Sequence, residues 1–288
     1  MYTTDFDYAR ATTVDEALSL MNEHGDGAKL LAGGHSLLPA MKLRLSQPST
    51  LIDITGLDDL SYIREDGDRI RIGALTTHHA LESSNLLKRT CRALQNVASQ
   101  IGDPQVRNRG TIGGSLAHAD PAADYPAIIL ALNARMMIRS SSGSREVSAD
   151  DFFTGMFETA VGEGELLTEI SVPALTPGSG AAYAKFANPA SRYAVVGVAA
   201  MVQVQGRQCV AARVGVTGAA PTAFRATSTE EKLVGTELDA NAIAHAVEQM
   251  VDPADMMEDL SGSPEYRAHL CETMAKRAIS EAAEQARG

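Results

Sequence analysis

The sequence predicts an α+β protein built in two units, and three observations carry that reading. In the first 175 residues, helical and strand signals lack the regular strand–helix repeat of a doubly wound sheet. Beyond them, three strand patterns between residues 181 and 216 give way to three helical stretches. Between the two regions, Ala174-Leu175-Thr176-Pro177-Gly178-Ser179-Gly180 has linker chemistry, because proline and glycine stop both helix and sheet. The units are placed at residues 1–175 and 176–288.

Thr13-Val14-Asp15-Glu16 reads as a capping box. It opens a helix to about His24 with Ala17, Leu18, Leu20 and Met21 as its apolar face, and Gly25 stops it. Lys29 to Ala32 is a short buried strand, followed by Gly33-Gly34 and a helix from Ser36 to Leu45. Thr50 to Ile54 is a strand, and residues 60–65 and 69–72 form a hairpin about Asp66-Gly67. Thr76 or Thr77 caps a short helix to Glu82, and Leu86 to Ile101 carries a longer helical pattern. Pro121 to Leu132 reads as a helix; Met136 to Ile138 and Glu165 to Val172 read as strands. Past the linker, Ala181 to Ala187, Ala194 to Val204 and Cys209 to Val216 are strands. The last helix starts at Ser263-Pro264-Glu265 and runs to about Gln285.

With 288 residues, 44% hydrophobic and 21% charged, the composition is that of a soluble globular protein. No stretch reaches the roughly 20 apolar residues of a membrane span. The start, Met1-Tyr2-Thr3-Thr4-Asp5, is polar and acidic rather than a secretory signal, so a cytoplasmic protein is expected. A net charge of −11 repels nucleic acid. Cys91, Cys209 and Cys271 form no C-x-x-C pair, which argues for buried reduced thiols and against an iron–sulfur cluster or zinc on this chain. No H-E-x-x-H pattern is present, and no metal ligand is assigned.

Two glycine pairs carry the chemistry: Ala32-Gly33-Gly34-His35-Ser36 and Thr111-Ile112-Gly113-Gly114-Ser115. Glycine lets backbone N–H groups approach a ligand closely, and successive N–H groups make an anion site that a hydroxyl completes. One such segment alone reads first as a tight turn that merely redirects the chain. Two suggest a pyrophosphate held from both sides. Neither matches the dinucleotide or P-loop fingerprint, and no lysine stands beside them to grip a γ-phosphate. Asp124 is either an acceptor for sugar hydroxyls or a helix-start carboxylate, with Asp120 better placed for capping. Tyr193 is either a ring-stacking partner or ordinary core packing.

These motifs, with Asp120-Pro121-Ala122-Ala123-Asp124-Tyr125-Pro126, resemble the FAD-binding medium subunit of molybdenum hydroxylases, of the carbon monoxide dehydrogenase and xanthine dehydrogenase kind. Phe6-Asp7-Tyr8, Gly73-Ala74-Leu75-Thr76-Thr77, Asp103-Pro104-Gln105-Val106-Arg107 and Tyr266-Arg267 extend the likeness over essentially the whole chain. The resemblance implies a two-subdomain FAD domain of the xanthine dehydrogenase or vanillyl-alcohol-oxidase type, then a C-terminal domain with a three-stranded antiparallel sheet and helices. It implies that Leu30, Leu31, Ala32, Gly33, Gly34, His35, Ser36 and Leu37 wrap the FAD pyrophosphate. Thr111, Ile112, Gly113, Gly114 and Ser115 would close it from the other side. Ile101 would lie against the cofactor, Asp124 hold a hydroxyl, Leu167 pack near the flavin, Lys185 contact it, and Tyr193 sit beside the isoalloxazine ring. Ser115 replaces the family's usual Asn, which shortens the reach of that contact or brings in a water.

By the same resemblance, no catalytic residue belongs to this chain. Its partners are a large molybdenum–pterin subunit and a small subunit with [2Fe-2S] clusters, assembled as a dimer of heterotrimers. Electrons would pass from the clusters to FAD and on to an external acceptor. Attachment to the inner face of the membrane would come through the complex. A self-contained flavin oxidoreductase and an assembly module that has lost FAD are the competing readings.

Overall fold

The computed structural model describes residues 2–288. Its first subdomain is a three-stranded parallel sheet in the order Asp7–Arg10, Thr50–Asp53, Ala28–Leu31. The helix Val14–His24 buries Ala17 and Leu18 in the core that Ile52 and Ile54 also enter. Thr13 Oγ1 accepts the Glu16 N–H at 3.1 Å, as the capping box requires. The Glu16 carboxylate turns back to the N–H and hydroxyl of Thr12 rather than of Thr13.

The second subdomain is a five-stranded antiparallel sheet in the order Ile63–Asp66, Arg69–Gly73, Leu166–Pro173, Arg135–Ser140, Gly143–Ser148. Strand alternation sorts its two faces. Ile70, Ile72, Met136, Ile138, Ile170 and Val172 are fully buried in a core shared with helices Arg92–Ser99, Ile112–His118 and Tyr125–Ala131. Arg69, Arg71, Arg135 and Glu169 alternate with them on the other face.

The C-terminal sheet pairs Ser179–Ala187, Ala194–Gln205 and Gln208–Thr217 antiparallel, and the two-residue strand Phe224–Arg225 adds an edge. Period-two alternation again divides its residues. Ala182, Val196, Val198 and Ala200 pack with the long helix Pro264–Arg287, whereas Ala181, Tyr183 and Ala199 join the core of the second subdomain. The sheet therefore lies between the terminal helix and Tyr125–Ala131, so side chains of the C-terminal unit reach the first unit directly.

Two of the expected helices are cut short by bonds to distant segments. The stretch from Leu86 to Ile101 is broken into Asn85–Thr90 and Arg92–Ser99, with Cys91 non-helical between them. There the Thr90 carbonyl accepts the N–H of Leu175 at the linker instead of continuing the helix. The helix expected from Pro121 begins only at Tyr125. The carbonyls of residues 121–123 are committed to the C-terminal sheet: Pro121 to Gly218 N and Thr217 Oγ1, Ala122 to Ala194 N, and Ala123 to Thr217 Oγ1. A backbone whose acceptors are taken from outside has no reason to coil.

Candidate functional site

A cleft of about 940 Å³ lies where the two subdomains of the first unit meet, with residues 191–193 of the C-terminal unit on its wall. Its size is near the top of the roughly 300–1,000 Å³ range of ligand sites. Leu30, Ala32, Gly33, Gly34, His35, Ser36, Leu37, Ile101, Thr111, Gly113, Gly114, Ser115, Asp124, Leu167 and Tyr193 all line it. Leu31, Ile112 and Lys185 do not: Ile112 is sealed in the core, and the Lys185 ammonium is engaged behind Asp124.

The two glycine segments do different work. After the strand Ala28–Leu31 ends, Gly34 takes φ +72°, and the helix Leu37–Lys42 begins. Leu38 N–H and Ala40 N–H bond the carbonyls of Gly34 and Ser36. The N–H groups of Gly33, Gly34, His35, Ser36 and Leu37 have no protein acceptor among the described residues. Five consecutive free donors along a cleft make an anion cradle.

The second glycine pair is not a turn but the first turn of the helix Ile112–His118. Thr111 Oγ1 caps it by accepting Gly114 N–H at 3.1 Å, and the Ile112 and Gly113 N–H groups bond Thr76 O and Ala74 O at 3.0 and 2.8 Å. With its amides taken, this segment offers the cleft a surface without Cβ and the Ser115 hydroxyl. Gly33 packs against the residues that lead into the second segment: a Cβ there would stand 2.3 Å from Arg109 O and 2.7 Å from Gly110 Cα. Gly114, in contrast, faces the open cleft.

Asp124 occupies the N-cap position of Tyr125–Ala131 but makes no capping bond. Its carboxylate accepts from Tyr183 OH at 2.5 Å and from Lys185 Nζ at 2.9 Å, and Lys185 also donates to Gln100 O at 3.2 Å. The Asp124 and Lys185 side chains are 6% and 2% exposed. Burial pushes the Asp124 carboxyl up from its ordinary value, against the pull of Lys185 and Tyr183. The strand Ser179–Ala187 thus reaches across the units to fix a carboxylate on the cleft wall. Asp120 uses its side chain to accept Ala122 N–H at 2.9 Å. Tyr193 stands at the end of the turn that follows that strand, 42% exposed, beside Arg192 at φ +62°. Burial, with Asp120 next, raises its hydroxyl pKa.

Residues of the cleft wall that the motifs did not mark include His78, His118 and Phe157. Phe157 takes φ +59° and lies 5.2 Å, centroid to centroid, from His118. No local pattern announces an aromatic residue in the left-handed region. His78 had a signal: His78 and Leu81 are spaced i, i+3 in the helix His78–Glu82, and both are buried. Burial, then the neighbouring His35 and Arg107, depresses the His78 imidazole to about 4. The folded state therefore binds fewer protons than the unfolded state between pH 6.5 and 4. The stability that depends on His78 is expected to be fully present above pH 6.5 and to fall by about 3 kcal/mol as pH drops to about 4. Urea unfolding across that window checks this; His78→Phe is expected to flatten the slope, and an unchanged slope contradicts the assignment.

The three cysteines are buried free thiols, and among the described residues no group of His, Cys, Asp or Glu is arranged to hold a metal ion. No described helix is long and apolar enough to cross a membrane.

Comparison with known proteins agrees with this architecture. Residues 4–175 match the family described as the FAD binding domain in molybdopterin dehydrogenase, and residues 181–282 match the CO dehydrogenase flavoprotein C-terminal domain. The chain is 40% identical over 277 residues to the carbon monoxide dehydrogenase medium chain of Hydrogenophaga pseudoflava, covering 96% of each. It is also 40% identical over 284 residues to subunit alpha of the 6-hydroxypseudooxynicotine dehydrogenase complex of Paenarthrobacter nicotinovorans, covering 98% of this chain and 96% of that one. A solved structure of the Hydrogenophaga pseudoflava carbon monoxide dehydrogenase superposes with a TM-score of 0.95 at 40% identity, covering 99% of both chains. The chain belongs to the family of FAD-binding medium subunits of molybdenum hydroxylases.

Proposed function

We propose that this chain holds FAD in the cleft and serves as the electron-delivering part of a molybdenum hydroxylase complex. The observation that carries the reading is the run of five unpartnered N–H groups from Gly33 to Leu37, set against the Cβ-free face of Gly114. That donor set fits a pyrophosphate without a metal or a lysine. Asp124 and the Ser115 hydroxyl suit sugar and ribityl hydroxyls, while Ile101, Leu167 and Tyr193 supply apolar and aromatic wall for rings. The Lys185–Asp124–Tyr183 cluster orients its end of the site and holds a positive charge just behind it.

Bound FAD supplies redox chemistry that links one-electron donors to an external acceptor. In this reading the donor is a [2Fe-2S] cluster of a small subunit, and substrate is oxidised at the molybdenum–pterin centre of a large subunit. The assembly is a cytoplasmic dimer of heterotrimers. Equal identity to relatives named for carbon monoxide and for 6-hydroxypseudooxynicotine supports a substrate choice made outside this chain.

The test mixes the flavin-loaded chain with its co-purifying iron–sulfur subunit, reduced beforehand and freed of excess reductant. Bleaching of the flavin band with recovery of the cluster absorbance is expected. Absence of electron transfer overturns the reading, and reduction of the isolated chain by a small organic substrate would favour a self-contained oxidase.

A further inference from the structure

His78 is 4% exposed and lines the cleft, but neither the pyrophosphate reading nor the family motifs use it. Its Nδ1 lies 2.9 Å from the hydroxyl of Tyr125, a side chain that is itself fully buried. Two arrangements of protons are open to such a pair. If Nδ1–H donates to the tyrosine, the phenol O–H is left buried with no acceptor among the described residues. If the phenol O–H donates to Nδ1, both atoms are satisfied and the neutral ring carries its proton on Nε2. The first arrangement strands a donor in the sealed core, at a cost of about 1–3 kcal/mol, whereas the second leaves its free donor on a ring that lines the cleft, and this selects the second.

The imidazole is neutral at physiological pH because its surroundings hold it at about 4. Nε2–H then has no protein acceptor among the described residues, although the ring is almost wholly enclosed. Its position narrows the choice of acceptor. A Cβ on Gly110 would stand 2.5 Å from His78 Nε2, so this nitrogen is packed directly beside Gly110. Gly110 is also where Gly33 of the first segment makes its close approach. The free N–H therefore sits where the first glycine segment meets the residue that leads into the second, and the N–H of His78's own backbone is already committed to Gly110 O at 2.9 Å.

We infer that His78 is a cofactor-binding residue whose Nε2–H donates to a pyrophosphate oxygen held between the glycine segments, with Tyr125 fixing the tautomer. This rests on the FAD reading of the cleft. The chain would then add one neutral side-chain donor to its backbone cradle, consistent with the missing lysine.

The full-length chain, stripped of flavin, is titrated with FAD, with ADP as the pyrophosphate half, and with riboflavin as the ring half. Replacing His78 by Asn keeps an acceptor near Tyr125 but removes the Nε2 donor, and Phe removes both. Gln places an amide N–H where Nε2 stands. His78→Asn and His78→Phe are expected to bind FAD and ADP about tenfold to a hundredfold more weakly, the loss of a hydrogen bond to a charged group. Riboflavin binding should be unchanged, and His78→Gln should restore FAD binding to near the parent value. Undiminished FAD and ADP binding by His78→Asn overturns the inference, as does an equal loss for all three ligands, which would mark a structural role. If the parent chain binds neither FAD nor ADP, the FAD reading itself fails, and that result is distinct from both.

Discussion

Gly33→Ala is expected to purify with its cofactor almost entirely lost. The added methyl would stand 2.3 Å from Arg109 O and 2.7 Å from Gly110 Cα, both backbone atoms that cannot swing aside as a side chain would. The two glycine segments must separate, and the five free N–H groups move away from the face they oppose. Overpacking of this kind costs about 1–3 kcal/mol, which is roughly ten- to a hundredfold in affinity. Gly114→Val approaches the same end differently. Its Cβ meets only Thr111 Oγ1 at 2.8 Å and Ala32 Cβ at 3.8 Å, so the substituent grows into the cleft itself. Disturbing the Thr111 cap costs about 1 kcal/mol of stability, while flavin retention is expected to vanish. Flavin-to-protein ratios after desalting, with melting temperatures alongside, distinguish the two. Full flavin in both variants would place the pyrophosphate elsewhere.

The second large effect is expected at Lys185. Lys185→Met leaves the Asp124 carboxylate enclosed with Tyr183 as its remaining side-chain donor. Removing one partner of a buried ion pair costs about 3–5 kcal/mol, because the other charge is left uncompensated. Without the ammonium, the folded-state pKa of Asp124 rises further above its unfolded value. Its stabilising contribution is then present below the unfolded pKa and lost as pH rises through the folded one. The deficit of Lys185→Met is therefore expected to be largest at neutral pH and to shrink on acidification. Asp124→Asn combined with Lys185→Met removes both charges and is expected to recover a large part of the loss. Urea midpoints for the parent, the single and the double variants check this; a loss below about 1 kcal/mol would mean the pair is effectively solvated.

Local signals in the chain made much of this legible. The Thr13 cap, the Asp66-Gly67 hairpin, and the proline at the start of the terminal helix each depend on a few adjacent residues, and each is found in place. The first glycine segment was legible for the same reason: a short strand runs into Gly33-Gly34, and Gly34 takes the left-handed backbone.

What stayed hidden depends on distant partners. The break at Cys91 follows from a bond between Thr90 and Leu175, and the late start at Tyr125 from bonds to Ala194, Thr217 and Gly218. Asp124 could be read as a cap or as a ligand group, yet its two donors come from a strand 59 and 61 residues away. The second glycine pair looked like a copy of the first. Thr111 makes it a helix start, with its amides already bonded, so only the first segment offers a row of free donors.

The role of the cleft depends on where the pyrophosphate sits. A structure of the chain with FAD bound measures it directly. The expected result is pyrophosphate oxygens within hydrogen-bond distance of the N–H groups between Gly33 and Leu37, facing Gly114. A pyrophosphate bound away from that row, or a cleft that takes up no FAD, would contradict it.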